Sequence, residues 1–278
     1  MKKIVLPLVL AACIFSSAVA QKDVKYPKLF YKDVKVETEE LTITIDNAVS
    51  TEAETKFKLK ITNKTNAYIF FKPEESKFII NGKEMKPKEK MVVSAPNESD
   101  FKVINLKNPQ SNSIKNYSFV VDGLYKVEPE DKGITVNDFK LPVAQNEFNA
   151  GNFNCSFVKM SKETDATDVK FKCIYKGDKI GFVSSSKVTV KMPDGNEYAT
   201  VKGSGLFSNS KPVLLMKGKD ESFTLHWDRM QGGKSMDMQK VEMIIKWNNA
   251  FTEASPVKMK SETLELQFDE EVSNKQFK

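Results

Sequence analysis

The 278-residue sequence is poor in the side chains that most enzyme and metal sites use, with one histidine, three cysteines and two tryptophans. Because His226 is the single histidine, sites built from several histidines are excluded, and any mechanism that needs an imidazole must use this residue. No glycine-rich phosphate loop and no serine nucleophile elbow is present in the sequence. We therefore expect a non-catalytic protein without a cofactor.

Arginine is almost absent, although the chain is basic. Arg229 is the single arginine among 43 basic residues, and the net charge is +6. Recognition of phosphates and base edges depends on the forked guanidinium of arginine. Because charges of both signs are also interspersed along the chain, we expect no nucleic-acid partner.

Long apolar runs are absent except at the N-terminus. Met1–Lys3 is cationic, Ile4–Phe15 is apolar, and small residues stand at Ala18 and Ala20. The apolar run is shorter than the ~20 residues that a transmembrane helix needs. This pattern is typical of a signal peptide. It predicts cleavage after Ala20 and an exported chain, periplasmic or extracellular, with no transmembrane segment.

The signal region has an alternative interpretation. Leu10-Ala11-Ala12-Cys13 resembles a lipobox, in which the cysteine is acylated and becomes the first residue. Ile14 and Phe15 continue the apolar run, whereas a lipoprotein usually turns polar directly after its cysteine. Cleavage after Ala20 is favoured, and lipid anchoring through Cys13 is the alternative.

A faint internal repeat runs through the rest of the chain. Residues 41–69 fall on residues 155–183 at an offset of 114 (155 − 41), so that Lys56-Phe57-Lys58 matches Lys170-Phe171-Lys172. The shared apolar rhythm predicts two copies of a unit of about 110 residues.

Both copies have the pattern of β-strands. Apolar and polar residues alternate over 41–45 and over 56–61, which is typical of half-buried strands. Asn81-Gly82 and Asp194-Gly195 are hairpin signals. No segment keeps a 3.6-residue apolar period over ten residues.

The sequence therefore predicts an all-β fold of two tandem antiparallel β-sandwiches of immunoglobulin-like type, with a single larger β fold as the alternative. Residues 135–142 are expected to return as the last strand of the first sandwich. The predicted divisions are a signal peptide at 1–20, an N-terminal segment at 21–36, a first domain at 37–145, a second domain at 146–270 and a polar tail at 271–278.

Two cysteines follow the predicted cleavage site. Cys155 and Cys173 lie on apolar strand faces, and pairing Phe157 with Phe171 would place them opposite each other. Export permits a disulfide between them. Buried free thiols are the alternative, and a reactive pair is disfavoured because the spacing of 18 is unlike C-x-x-C.

His226 is expected on the solvated face of a strand whose other face carries Phe223, Leu225 and Trp227. A copper site is the alternative, since imidazole and thioethers suit Cu(I). Its ligands would be His226, Met230, Met236 and Met238.

Tyr68-Ile69-Phe70-Phe71 is an apolar run in an otherwise alternating chain. As a strand it would be apolar on both faces, so it is either covered by the other domain or the N-terminal segment, which is favoured, or exposed as a partner surface. Lys56, Lys58 and Lys60 indicate the solvated face of a strand, with binding of acidic glycans or lipid headgroups as the alternative.

Two hypotheses for function follow. The favoured one is a non-catalytic envelope protein that acts as a binding, adaptor or structural subunit and holds another envelope protein or a glycan through sheet edges and loops. The alternative is a periplasmic copper carrier or an enzyme centred on His226 and the nearby methionines.

Overall fold

The structure is a computed structural model, and it describes residues 26–108, 111–130, 132–201, 211–228 and 238–277. These residues form a nearly all-β, sandwich-like fold of antiparallel sheets, as the alternation predicted. The predicted signal peptide and Cys13 lie outside the described residues, so export and lipid anchoring stay predictions.

The strands before residue 130 form three sheets. Their bounds are β1 Leu29–Phe30, β2 Val34–Glu37, β3 Leu41–Ser50, β4 Glu54–Asn63, β5 Tyr68–Phe71, β6 Lys77–Ile80, β7 Lys83–Met85, β8 Val92–Ser94, β9 Ser99–Lys107, β10 Asn116–Val121 and β11 Leu124–Val127. Short 3-10 turns lie at Pro73–Glu75 and Ser111–Ser113.

The remaining strands lie after residue 130. They are β12 Phe139–Leu141, β13 Glu147–Ala150, β14 Phe153–Lys162, β15 Ala166–Tyr175, β16 Ile180–Val183, β17 Thr189–Lys191, β18 Glu197–Ala199, β19 Val213–Leu215, β20 Asp220–Asp228, β21 Met243–Lys246, β22 Phe251–Ala254, β23 Val257–Lys258 and β24 Glu262–Gln267. A 3-10 turn lies at Ser185–Lys187, and helix α1 spans Glu270–Phe277.

The two halves of the chain, residues 26–127 and 147–254, use the same sheet orders. The order β1-β3-β4-β9, with β2 also on β3, has its counterpart in β13-β14-β15-β20. The order β10-β6-β7 is matched by β21-β17-β18, and β11-β5-β8 by β22-β16-β19. Each half has a large core of aliphatic and aromatic side chains, around Phe57 and Phe119 in the first half and around Phe171 and Trp227 in the second.

The structural offset between the halves is 112 positions, not 114. Strands β3 and β14 start 112 residues apart (153 − 41), and so do the 3-10 turns at Pro73 and Ser185 (185 − 73). A slip of two residues leaves every inward position facing inward, because side chains alternate with a period of two. The apolar pattern therefore shows that a repeat exists without fixing its register.

The hairpin prediction is confirmed at Asn81-Gly82. Ile80 pairs with Lys83, and both turn residues have positive φ, 50° and 74°. Two left-handed residues in a two-residue loop make a type I′ turn, whose twist suits the strands it joins. Lys191 likewise pairs with Glu197 around the Asp194-Gly195 turn.

Each half receives its last strand from the other part of the sequence. Strand β12, expected to close the first half, pairs with β21 of the second, and β24, which follows the second half, pairs with β10 of the first. The flanking contacts match, since the Ile134 amide donates to the Phe251 carbonyl and the Met259 amide to the Leu124 carbonyl, both at 2.8 Å. We call residues 130–141 the first arm and 257–267 the second arm.

This exchange departs from the predicted divisions at two places. Residues 139–141 belong to a sheet of the second half, and residues 257–267 to sheets of the first half, where Leu264 and Leu266 are buried in its core. Local pattern could not reveal this, because alternation gives a strand's faces but not its partner. The division into two domains stays a prediction.

The expected polar tail is partly a docked helix. The Ser273 side chain is buried, and its Oγ accepts a hydrogen bond from the Phe30 amide at 3.0 Å. Asn274 accepts another from the Tyr26 hydroxyl at 2.9 Å. Helix α1 therefore packs beside the N-terminal segment that runs into β1.

The apolar run Tyr68–Phe71 is buried on both faces, as the favoured interpretation expected, and the alternative of an exposed partner surface is wrong. Ile69 and Phe71 point into the core of the first half. Tyr68 and Phe70 lie in a separate cluster with Phe182 of the second half, and the Tyr68 and Phe182 rings are 5.5 Å apart. We call this set of residues the bridging cluster, and it shows that the run is covered by the chain itself.

The exchange makes a specific prediction about stability. Truncating Leu264→Ala should lower the free energy of unfolding by about 2–5 kcal/mol, since the side chain is fully buried. Hydrogen exchange should show lost protection in β10, some 140 residues away in sequence, more than in β21. The control is Thr263→Ala on the exposed face of the same strand. Equal effects of the two variants on denaturant unfolding would contradict the pairing.

Candidate functional site

The two cysteines form the predicted disulfide. Cys155 on β14 and Cys173 on β15 are direct cross-strand partners, and their sulfur atoms are bonded. Both residues are buried in the core of the second half. With the corrected offset they stand where the first half has the paired residues Ile43 and Ile61. The bridge is a core cross-link, and this burial does not suit a redox site.

His226 lies on the outer face of β20 between two carboxylates. Its Nδ1 is 2.8 Å from Asp168 Oδ1 on β15, and its Nε2 is 2.7 Å from Asp228 Oδ1. Phe223, Leu225 and Trp227 point inward as predicted. The imidazole is half-buried rather than fully solvated.

This arrangement determines the protonation of the ring. A carboxylate accepts hydrogen bonds, so both ring nitrogens must donate, which requires the imidazolium form. Partial burial lowers the pKa of His226, but the hydrogen bonds and charges of Asp168 and Asp228 outweigh it, and the pKa is raised above 6.5. A ring that donates through both nitrogens has no lone pair for a metal.

The copper ligands do not come together in the described residues. Met238 is buried in the core of the second half, whereas His226 faces outward on β20. Met230 and Met236 lie outside the described residues. Within the described residues, no group of three or more histidine, cysteine, aspartate or glutamate side chains could hold a metal ion.

A different surface stands out on the first half, where β4 and β9 pair side by side. Lys56, Lys58 and Lys60 point outward from β4, opposite Asn105, Val103 and Phe101 of β9. Phe101 is 61% exposed and Val103 50% exposed. Lys58 Nζ lies 4.8 Å from the centre of the Phe101 ring. We call Lys58, Lys60, Phe101 and Val103 the lysine–aromatic face.

The two lysines of this face make no close ion pair, although Asp46 on β3 is the cross-strand partner of Lys58. Lys56 is 3.2 Å from Glu54, but Lys58 and Lys60 make no ion pair with any described residue. In the second half, the equivalent positions are Lys170 and Lys172, and Lys172 is neutralised by Asp220 at 2.6 Å. The combination of unpaired lysine and exposed aromatic is therefore specific to the first half among the described residues.

Strand β9 is also a sheet edge in the described part of the chain. The Asn105 amide points away from β4 and donates to Glu89 Oε1 at 2.8 Å. Because alternate residues of a strand point their amides to the same side, those of Phe101 and Val103 face the same edge. Because Glu89 accepts the hydrogen bond of the Asn105 amide, the stretch of β9 with unpaired edge amides stops before Asn105.

Sequence reasoning identified the lysines but not their aromatic neighbour. The alternation over residues 101–106 is typical of a strand, and Ile104 and Leu106 are buried as its inner face. The same alternation puts Phe101 and Val103 outward, so the signal was present. The pairing of β9 with β4, which brings Phe101 beside Lys58, was not readable from the pattern.

Comparisons with known proteins do not assign this chain to a family. No family model and no curated protein matches the chain. Among solved structures, red sea bream transglutaminase matches at 7% identity and a TM-score of 0.18, over 80% of this chain and 31% of that one. A β-porphyranase of glycoside hydrolase family 86 from the human gut bacterium Bacteroides plebeius matches at 10% identity and a TM-score of 0.15. That match covers 84% of this chain and 38% of the other protein.

In both cases the chain spans well under half the length of the other protein. Similarities at these TM-scores carry no argument about this chain. Within the described residues, no helix has both the length and the apolar character needed to cross a membrane.

The disulfide should stabilise the mature chain measurably. Replacing both cysteines by valine, which resembles the isoleucines of the first half, should lower the free energy of unfolding by about 3 kcal/mol, since the bridge closes a loop of 18 residues. Denaturant unfolding with and without reductant tests this. Reductant should bring the unmodified protein close to the variant and leave the variant unchanged. Two reactive thiols in the unreduced, unfolded protein would contradict the bridge.

His226 should titrate with a pKa above 6.5, and its proton resonances are unambiguous because it is the single histidine. Asp168→Asn should lower that pKa. Because the folded pKa is raised, the charged ring stabilises the fold below the unfolded pKa of about 6.5, and this contribution disappears as the pH rises through the folded value. His226→Gln should therefore cost more stability at pH 5.5 than at pH 9. A midpoint at or below 6.5 would refute the two-carboxylate geometry.

Proposed function

We propose that this is an exported, non-catalytic binding protein that holds an acidic glycan on the lysine–aromatic face. The observation that carries the proposal is the exposed Phe101 ring beside Lys58, next to a second unpaired lysine, Lys60. An adaptor or structural role would use the same surface. The core disulfide and the predicted signal peptide support export.

The chemistry of the face suits a sugar polymer with acid groups. An exposed aromatic ring offers a flat apolar surface on which the C–H face of a sugar can pack. Unpaired lysines supply the opposite charge for carboxylate or sulfate groups, and their flexible stems adapt to the spacing of those groups. A solvated strand face needs neither a large exposed aromatic nor a local excess of one charge.

An extended peptide fits the same strand less well. Strand addition needs a run of free backbone groups along an edge. On β9 the free stretch runs from Phe101 to Val103, because Glu89 occupies the Asn105 amide. Lys102, which lies within the edge strand β9, also discourages strand addition, because charged side chains on an edge oppose pairing with another chain. The glycan is therefore the better occupant.

The alternative centred on His226 is disfavoured by the two carboxylates that occupy its ring nitrogens. A general base or metal ligand needs a free imidazole nitrogen. Met238, buried in the core, offers no thioether to the outer face of β20.

Binding of polygalacturonate, a uronic acid polymer, tests the proposal, with neutral dextran as the reference polymer. Calorimetry should show binding of the acidic polymer and at least tenfold weaker binding of dextran. Phe101→Ala and the double variant Lys58→Gln/Lys60→Gln should each weaken binding about tenfold, which corresponds to about 1.4 kcal/mol. Affinity should also fall as salt is added, because exposed charges are screened.

The second half provides a matched control. Lys170→Gln/Lys172→Gln removes the same charge from the equivalent positions, and it should leave affinity within twofold. Equal weakening by the two double variants would mean that net charge alone attracts the polymer. That result, or no binding to the unmodified protein, would overturn the proposal.

A further inference from the structure

A pocket of about 250 Å³ lies against the far end of β9, where the segment after β7 crosses it. Its walls come from two stretches of chain, residues 86–89 and residues 105–107. The lining residues are Lys86, Lys88, Glu89, Asn105, Leu106 and Lys107. None of these residues takes part in the cores described above except Leu106.

The pocket carries an excess of positive charge. Lys86, Lys88 and Lys107 make no ion pair with any residue in the described ranges. The one carboxylate in the wall, Glu89, is held by two backbone amides: its Oε1 accepts from Asn105 and its Oε2 from Lys88 at 3.0 Å. Counting Glu54, which faces Lys107 across the paired strands, three ammonium groups lie beside two carboxylates, and the remaining positive charge favours a ligand with negative charge.

The pocket wall also offers hydrogen-bond acceptors. The Asn105 side chain is fixed by its Nδ2, which donates to Glu54 Oε2 at 2.9 Å. That hydrogen bond, together with one from Lys56, lowers the pKa of Glu54, so its carboxylate stays charged and keeps the amide oriented. The Asn105 Oδ1 atom is buried without a hydrogen-bond partner in the described structure. Because this atom has almost no accessible surface, a ligand hydroxyl would reach it only after a small movement of the pocket wall, and the gain would come from satisfying a buried acceptor.

Together these groups favour a ligand that is both anionic and rich in hydroxyl groups. Lysine ammonium groups bind carboxylate or sulfate as point charges, without the planar geometry that arginine imposes. Acceptors on Asn105 and Glu89 suit hydroxyl donors. A volume of about 250 Å³ is below the range of about 300–1,000 Å³ for drug-sized ligands, so one ring and its acid group is the appropriate size.

The pocket and the lysine–aromatic face lie along the same strand, β9. Asn105 points to the same side of β9 as Val103 and Phe101. Asn105 lies four positions along β9 from Phe101, a distance of about 13 Å. A short oligosaccharide can span this distance, with one ring on Phe101 and an acid-bearing ring in the pocket.

The geometry points to this pocket as the subsite for one acidic sugar unit, a uronic acid, of the glycan that the lysine–aromatic face holds. This inference rests on the proposed function, and it adds that the protein recognises an individual acid-bearing ring. Affinity then depends on the identity of a sugar unit and on its acid group, and not solely on the charge density of the polymer.

The test compares the monosaccharide glucuronate with glucose and with acetate, using backbone amide resonances of the full mature chain. Glucuronate should bind at millimolar concentration and shift Asn105, Leu106 and Lys107, whereas glucose and acetate should bind at least fivefold more weakly. Lys86→Gln/Lys88→Gln/Lys107→Gln should weaken glucuronate binding at least tenfold. Lys170→Gln/Lys172→Gln in the second half should leave it within twofold, and thermal unfolding should confirm that both variants fold.

The outcomes separate the two proposals. If polygalacturonate binds through Phe101 and the triple variant is unaffected, the pocket inference fails and the proposed function stands. If glucuronate binds in the pocket while Phe101→Ala leaves polymer binding unchanged, the face is wrong and the pocket stands. Equal binding of acetate and glucuronate would overturn the assignment of a sugar subsite, because carboxylate charge alone would account for it.

Discussion

The pairing of β24 with β10 is the contact on which the rest of the architecture depends. Leu264 and Leu266 close the core of the first half, yet they follow the whole second half in sequence. The first arm in turn contributes Phe139 and Leu141 to the core of the second half. The core of the first half is therefore incomplete until the chain beyond the second half has been made, whereas the first arm precedes the second half that it completes. Both cores depend on contacts between residues about a hundred or more positions apart in sequence, which slows folding. The bridging cluster then joins the sheets that the arms flank.

Much of the architecture could be predicted from the alternation of apolar and polar residues. The strands, the two hairpins, the inward faces and the opposition of Cys155 to Cys173 follow from a period of two and simple antiparallel counting. The offset of the repeat was misjudged by two residues because a slip of two changes no side chain's face. The exchanged arms were missed because a strand's sequence reports its burial and not its partner. The docking of α1 through Ser273 is likewise a tertiary contact between distant residues.

The candidate site shows the same division between local and tertiary information. The lysine stripe is plain in sequence, and Phe101 could have been placed on an outer face. What makes the surface distinctive is pairing: β9 brings an exposed ring to Lys58, whereas the equivalent place in the second half has Asp220 beside Lys172. Two copies of one fold thus differ in charge balance, and the copy without the disulfide carries the ligand-binding chemistry that we propose.

Glu89 has a consequence beyond the pocket that it lines. A strand with an exposed phenylalanine, an exposed valine and a bare edge would be a template on which a second copy could add its own strand. By bonding the Asn105 amide, the Glu89 carboxylate blocks that template with a fixed negative charge. The protein can therefore display an exposed apolar strand at high local concentration without that strand becoming a template for assembly of further copies.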